Sequence, residues 1–295
     1  MLTDSQYSTD GFDVVVPPGE AHALDVAWIW GLPLARFTYQ QTLDEVDWLI
    51  ARGRPAFFIT ANLNYAMLTG RDERLHRVNQ QAAFLVADGM PMVWYAKLTG
   101  RRLPERVAGA DLIHMLMERA AHRGHRVFLL GGAGDVAREV GAVFQQRYPG
   151  LKIVGVEAPM LGQLSPEEHE ELILRVRRAR PDLLLVAFGQ PKGELWLAEN
   201  CQALGVPACV QLGASFDFVA GRVRRAPKWM QRIGAEWLYR VACQPRRMIP
   251  RYFRNALFLV RAVARDAMRY SEACHAPDRT RQGGPGDRGG EAPGR

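Results

Sequence analysis

Val127-Phe-Leu-Leu-Gly131-Gly132-Ala-Gly134-Asp135-Val-Ala137 is the stretch on which the fold turns. A short apolar run breaks straight into a glycine cluster, and an amphipathic helical pattern follows near 135–148. Strand, tight turn and helix in that order make half of a parallel β-α-β unit. The same alternation recurs outward in both directions. It predicts strands at 26–32, 56–60, 83–87, 127–130, 152–156, 183–188 and 208–212, with helices near 42–52, 64–79, 109–122, 166–179 and 193–203. Ser165-Pro166-Glu167-Glu168 marks one helix start, with a cap, a proline at the first position and acids in the first turn. The expectation is a Rossmann-like α/β core over 26–221, a mostly parallel sheet with helices on both faces, behind an N-terminal extension at 1–25.

Ligands of such a sheet bind beyond the carboxyl ends of the strands. The residues there are Thr60-Ala-Asn62, Asp88-Gly89, Gly131-Gly132-Ala-Gly134-Asp135, Gly189-Gln190-Pro191-Lys192-Gly193-Glu194 and Gly213-Ala-Ser215-Phe-Asp217. Gly132-x-Gly134-x-x-Ala137, with Glu157 at the next strand's end, fits a dinucleotide fingerprint. Its glycines let a backbone approach a diphosphate. The string serves a nucleotide sugar as well as NAD(P), and a ligand-free tight turn has the same spelling. Asp88 ends a buried strand, where a carboxylate can act as general base, although an Asp-Gly turn would also place it there. Thr60 carries the same two readings. No D-x-D pair occurs to hold a metal on a sugar-nucleotide, so arginines, lysines or helix N-termini would neutralise a diphosphate. Arg106, just before a predicted helix, is a candidate for that work. No metal or organic cofactor is expected.

The charge is unevenly distributed. Residues 222–270 hold thirteen Lys/Arg against two acids, Glu236 and Asp266, a balance of +11 in a chain whose total is +7. Trp229, Ile233, Trp237, Leu238, Ile249, Phe253, Leu257 and Val260 interleave with those arginines, which suits an anionic membrane surface. After Pro250, Tyr252, Phe253, Ala256, Leu257 and Val260 recur at helical spacing, so packing of that stripe on the protein's own core competes with membrane contact. No helix-turn-helix, RRM or zinc-finger pattern accompanies the charge, so nucleic acid is not an expected partner. The apolar runs are too short to span a bilayer. A basic amphipathic docking appendage at 222–270 and a disordered tail at 271–295 complete the expected organisation. The first residues lack a secretory signal, and Cys201, Cys209, Cys243 and Cys274 show no C-x-x-C or zinc spacing. A cytoplasmic protein, peripheral on the inner face of the cell membrane, is the expectation.

Taken together, further stretches carry a resemblance. They are Thr60-Ala-Asn62, Ala87-Asp88-Gly89, Arg106-Val-Ala-Gly109-Ala-Asp111, Phe128-Leu-Leu-Gly131-Gly132, Tyr148-Pro149, Gly189-Gln190-Pro191-Lys192, Phe216-Asp217 with Ala220-Gly221, Arg225-Ala-Pro227, Glu236-Trp-Leu-Tyr-Arg240 and Pro245-Arg246. In this order the chain resembles the WecG/TagA/CpsF family of bacterial glycosyltransferases from about residue 27 to 254. The resemblance implies inverting, metal-independent transfer of a sugar (N-acetylmannosamine, glucose or a related hexose) from a UDP-sugar. The acceptor it implies is a polyprenyl-diphosphate-linked saccharide of a surface or exported polysaccharide. It makes Asp88 the base, with Thr60 and Arg106 beside it. It assigns Asn62, Gly131, Gly132, Gln190, Lys192, Glu194 and Asp217 to the substrate pocket, and Arg240, Arg247 and Arg251 to a membrane-docking appendage that closes over the site. Two departures lie near that pocket: Pro-Lys-Gly193-Glu194 where Pro-Lys-Gln-Glu is common, and Met90-Pro91 after Asp88-Gly89 where many members have glycine. An NAD(P)-dependent oxidoreductase built on Gly132 to Ala137, or a non-catalytic membrane-docking subunit, are the competing functions.

Overall fold

The computed structural model describes residues 24–275, with side chains through 268; most of the expected N-terminal extension at 1–25 and of the expected tail at 271–295 lies outside the described residues. The first half runs β1 (Val26–Ile29), β2 (Leu32–Ala35), α1 (Tyr39–Arg52), β3 (Phe57–Ala61), α2 (Leu63–Thr69), α3 (Glu73–Gln81), β4 (Leu85–Ala87), α4 (Met90–Leu98) and α5 (Gly109–Arg123). The second half of the core is β5 (Arg126–Gly131), α6 (Val136–Arg147), β6 (Lys152–Glu157), α7 (Pro166–Ala179), β7 (Leu183–Ala187), α8 (Lys192–Leu204), β8 (Ala208–Gln211) and α9 (Ala214–Val219). The basic segment folds as α10 (Lys228–Arg232), α11 (Glu236–Cys243) and α12 (Pro245–His275).

The strands form one sheet in the order β1-β2-β4-β3-β8-β7-β5-β6, parallel throughout except for the β1/β2 pair. Every residue of β3, β4 and β8 is buried. Continuous burial is what a strand covered on both faces requires. One face packs Tyr65, Met92, Trp196 and Leu197, the other Phe58, Leu116, Phe144 and Phe216. Capping boxes at Thr38/Gln41 and Ser165/Glu168 start α1 and α7, the latter where the sequence marks it.

Three elements depart from the sequence reading. The single strand expected over 26–32 is a hairpin, because Trp30 and Gly31 both adopt positive φ (49° and 82°) in a two-residue turn whose hand matches strand twist. The left-handed Trp30 is held by burial of its indole, 4.8 Å from the Tyr95 ring and 6.0 Å from that of Phe258. The helix expected near 64–79 breaks into α2 and α3 at Gly70, where Asp72 caps the second piece through Arg74 N–H. No helix is expected between 79 and 109, yet Met90-Pro91 opens α4, its proline lying in the first turn where no N–H is needed.

α12 answers the question its sequence leaves open. It begins at Pro245 and carries Pro250 inside it. Met248, Asn255 and Ala262 are buried, with Phe258, Leu259 and Val263 packed against the core, whereas Ile249, Phe253, Leu257 and Val260 point outward. The helix therefore has two apolar faces. Phe253, Leu257 and Val260, read from the sequence as one stripe, lie on the outer one; Phe253 is 71% exposed.

Candidate active site

Strands β4, β3, β8, β7 and β5 present their carboxyl ends side by side along one edge of the sheet. Asp88 directly follows β4, its N–H donating to Ala61 O at 2.7 Å, and Thr60 lies buried in the neighbouring β3. The N-terminus of α5 closes onto both: a Cβ built on Gly109 would lie 3.5 Å from Asp88 Oδ2 and 3.5 Å from Thr60 Oγ1. Gly109 N–H donates to the Asp88 carboxylate. Burial nevertheless pushes Asp88 up to about 7, with Glu236 adding to the rise and Arg106, the Gly109 bond and Arg225 opposing it. A carboxylate titrating near neutrality is suited to accepting a proton.

Arg106 is held in place by the appendage. Its Nη1 lies 3.3 Å from Glu236 Oε2 and its Nη2 3.9 Å from Asp111 Oδ2. Arg225 completes the network with a bidentate pair to Asp111 at 2.5 and 2.6 Å, its Nε lying 3.7 Å from Glu236 Oε1. Tyr39 joins from α1, its hydroxyl accepting Ala108 N–H at 2.8 Å and donating to Asp111 Oδ2 at 3.4 Å. Burial and the Asp111 charge hold that phenol well above its ordinary range. Tyr39, Asp111, Arg225 and Glu236 are not legible as site residues in the sequence. Asp111, Arg225 and Glu236 lie in stretches that carry the family resemblance, and Glu236 is one of only two acids in the basic segment. Both acids tie that segment down: Asp266 on α12 accepts a short hydrogen bond from Tyr95 OH on α4.

The three arginines singled out in the appendage converge. Arg251 is held below its ordinary range by burial and by the like charges of Arg240 and Arg247, while the Asp88 charge opposes that shift. Arg240 also stacks 5.5 Å over the Phe218 ring of α9. No ion pair among the described residues involves any of the three, and Arg251 Nε is buried without an acceptor. A cluster of like charges beside a single carboxylate is a place for an anion.

The remaining candidates are spread along the edge. Asn62 caps α2 through Tyr65 N–H at 3.1 Å, so its Oδ1 is engaged. Gln190 accepts from Asn64 at 3.5 Å and bonds Glu194, which burial pushes up to about 7 and whose Oε2 has no partner. Lys192 is exposed at the start of α8, and Asp217 is half-buried on α9. Gly131 is required as glycine: its φ is 99°, and a Cβ there would lie 2.9 Å from the Ala187 backbone. Gly131 ends β5 and Gly132 follows it, four strand positions from β4, which is about 19 Å at the usual spacing. The Gly132 N–H donates to Ala187 O, Asp135 adds an acid at the start of α6, and Glu157 is paired with Arg175 at 3.0 Å. The Gly132 amide and the Glu157 carboxylate, which a dinucleotide reading of the turn would use, both have protein partners here.

Residues 27–272 match the family described as "Glycosyl transferase WecG/TagA/CpsF family". A Bacillus spizizenii protein named N-acetylglucosaminyldiphosphoundecaprenol N-acetyl-beta-D-mannosaminyltransferase is 32% identical over 219 residues, covering 72% of this chain and 83% of its own. A Bacillus subtilis protein of the same name is 32% identical over 202 residues, covering 67% and 77% respectively.

Proposed function

Because the chain belongs to the WecG/TagA/CpsF family of glycosyl transferases, we propose that this hexosyltransferase inverts the anomeric centre as it moves a sugar from a UDP-sugar to a polyprenyl-diphosphate-linked saccharide. N-acetylmannosamine is the favoured sugar, since both relatives carry it in their names. The observation that carries this reading is the Asp88 carboxylate, raised to about 7, facing an arginine cluster that lacks a partner anion. Asp88 takes the proton of the acceptor hydroxyl as that oxygen bonds to the anomeric carbon. The bond from that carbon to the diphosphate breaks in the same step, and UDP leaves with the electron pair. One carboxylate and one displacement give inversion, with Arg106, Arg240, Arg247 and Arg251 receiving the charge on the leaving diphosphate. A diphosphate bonded to the reacting carbon has to lie near Asp88, over β3 and β8, so the 131–134 turn would meet the nucleoside end. Mixing UDP-N-acetylmannosamine with an N-acetylglucosaminyl-diphosphoundecaprenol acceptor should release UDP; no release above donor hydrolysis, with that and other UDP-sugars, overturns the reading.

The pH profile gives a second test. A base with its pKa near 7 in the free enzyme makes kcat/KM fall about tenfold per pH unit below neutrality. Arg106→Gln removes a cation that lowers Asp88 and should move that limb to higher pH. Glu236→Gln removes an anion that raises it and should move the limb lower. Limbs that shift together, or stay fixed, contradict the electrostatic assignment.

Membrane docking belongs to the same proposal. No helix of the described residues is long and apolar enough to cross a membrane. The outer face of the appendage exposes Trp229, Ile233, Leu238, Ile249, Phe253 and Leu257 among arginines. The core extends this face: α4 adds exposed Trp94 and Leu98, and a Cβ on Gly234 of the appendage would touch the Trp94 ring. Apolar side chains ringed by arginine fit an anionic bilayer. Ile249→Asp/Phe253→Asp should reduce binding to phosphatidylglycerol vesicles by about tenfold or more, with little change in Tm, because both side chains are exposed. Unchanged co-sedimentation would refute docking by this face.

A further inference from the structure

Gln211 is the last residue of β8 and is 5% exposed. Its side chain crosses toward α8 and takes the space a side chain at position 193 would need. A Cβ built on Gly193 would lie 2.5 Å from Gln211 Cδ, 2.6 Å from its Oε1 and 2.9 Å from its Cγ. Gly193 lies in helix α8 with no positive φ, so what favours glycine there is the space taken by Gln211 in this conformation and not the backbone. Oε1 accepts Phe188 N–H at 3.3 Å, which fixes the amide with its nitrogen turned the other way. Nε2 points to the turn opening α9, 3.1 Å from where a Cβ on Gly213 would stand, and Gly189 Cα is 3.8 Å from that same point. No hydrogen bond among the described residues uses Nε2. A carboxamide whose oxygen is fixed by Phe188 N–H and whose nitrogen stays open at the ligand-binding edge is placed to donate to a ligand there.

Its position says which ligand. Gln211 lies one strand from Thr60 and two positions from β4, whose end carries Asp88. That is where a diphosphate must lie if Asp88 serves attack at the carbon bonded to it. We propose that Gln211 is a donor-binding residue whose Nε2–H donates to an acceptor oxygen of the uridine diphosphate, and that Gly193 is the vacancy that lets the carboxamide reach it from β8. The inference rests on the UDP-sugar reading of the site.

Calorimetric titration of the full chain with UDP, alongside Tm without ligand, tests it. Gln211→Glu keeps the volume and the acceptor for Phe188 N–H but loses the donor and adds a charge facing phosphate. Gln211→Gly removes the side chain. Both should raise the Kd for UDP about tenfold or more. Gly193→Gln/Gln211→Gly offers a carboxamide to the same space from α8 and should return Kd to within about threefold of the unmodified protein. Unchanged Kd in both single variants, while the unmodified protein binds UDP, overturns the proposal. So does a folded double variant as weak as Gln211→Gly, which would leave Gln211 with packing alone. If the double variant does not fold, Gln211→Glu decides. Failure of the unmodified protein to bind UDP instead sinks the donor reading, and this inference with it.

Discussion

Asp88→Asn should lower kcat/KM about a thousandfold, within the range that general-base removal typically costs, while the Kd for UDP stays within about twofold. Asparagine keeps an oxygen for Gly109 N–H and fills the same space, so what disappears is the proton acceptor. The same variant should raise Tm, which separates a chemical loss from a folding loss. The sign follows from the shift: Asp88 stands at about 7 in the native chain against an ordinary 3.8, so ionising it costs more folded than unfolded. That cost is absent below about pH 4, grows as pH rises toward 7 and is fully present above it. Asp88→Asn should therefore exceed the unmodified Tm at pH 8 and approach it at pH 4. Turnover within tenfold of normal would remove Asp88 from the chemistry, and a Tm lowered equally at every pH would mean that the site is not desolvated.

Some of this is legible in the sequence because strand ends are local. A short apolar run that stops at Thr60-Ala-Asn62, Asp88-Gly89 or Gly131-Gly132 announces its own carboxyl edge, and a parallel sheet brings those edges together whatever the strand order. What locality cannot supply is pairing over distance. The Arg106–Glu236 contact spans 130 residues and Arg225–Asp111 spans 114, and no spacing rule announces either. The hairpin at Trp30-Gly31 was hidden for a related reason: tryptophan gives no sign of a left-handed turn until Tyr95 and Phe258 hold its ring. Gln211 is silent in sequence because its role depends on what is missing at position 193. The two-sided α12 marks the limit of periodicity, which finds an apolar stripe but cannot say which of two stripes faces inward.

The segment's charge leads to the other large effect. Arg251→Gln should reduce kcat/KM about a hundredfold or more on a soluble acceptor analogue, in the range lost with one donor to a developing oxyanion. Three guanidinium groups without a carboxylate among them repel one another in the free protein, and burial together with that repulsion holds Arg251 below its ordinary range. Removing one relieves that repulsion, so the ligand-free Tm should hold or rise while the thermal shift produced by UDP shrinks. Glu236 and Asp266 hold the appendage against the core through Arg106 and Tyr95, so the arginine cluster does not need a bilayer to be assembled. Deleting the appendage after Gly221 would be a poorer test, since it strips Met248, Asn255 and Ala262 from the core and uncovers Trp30 and Tyr95. The soluble analogue makes the distinction: full activity of Arg251→Gln on it would leave the arginines as surface contacts only. A loss there that matches the loss on a lipid acceptor assigns them to the leaving diphosphate.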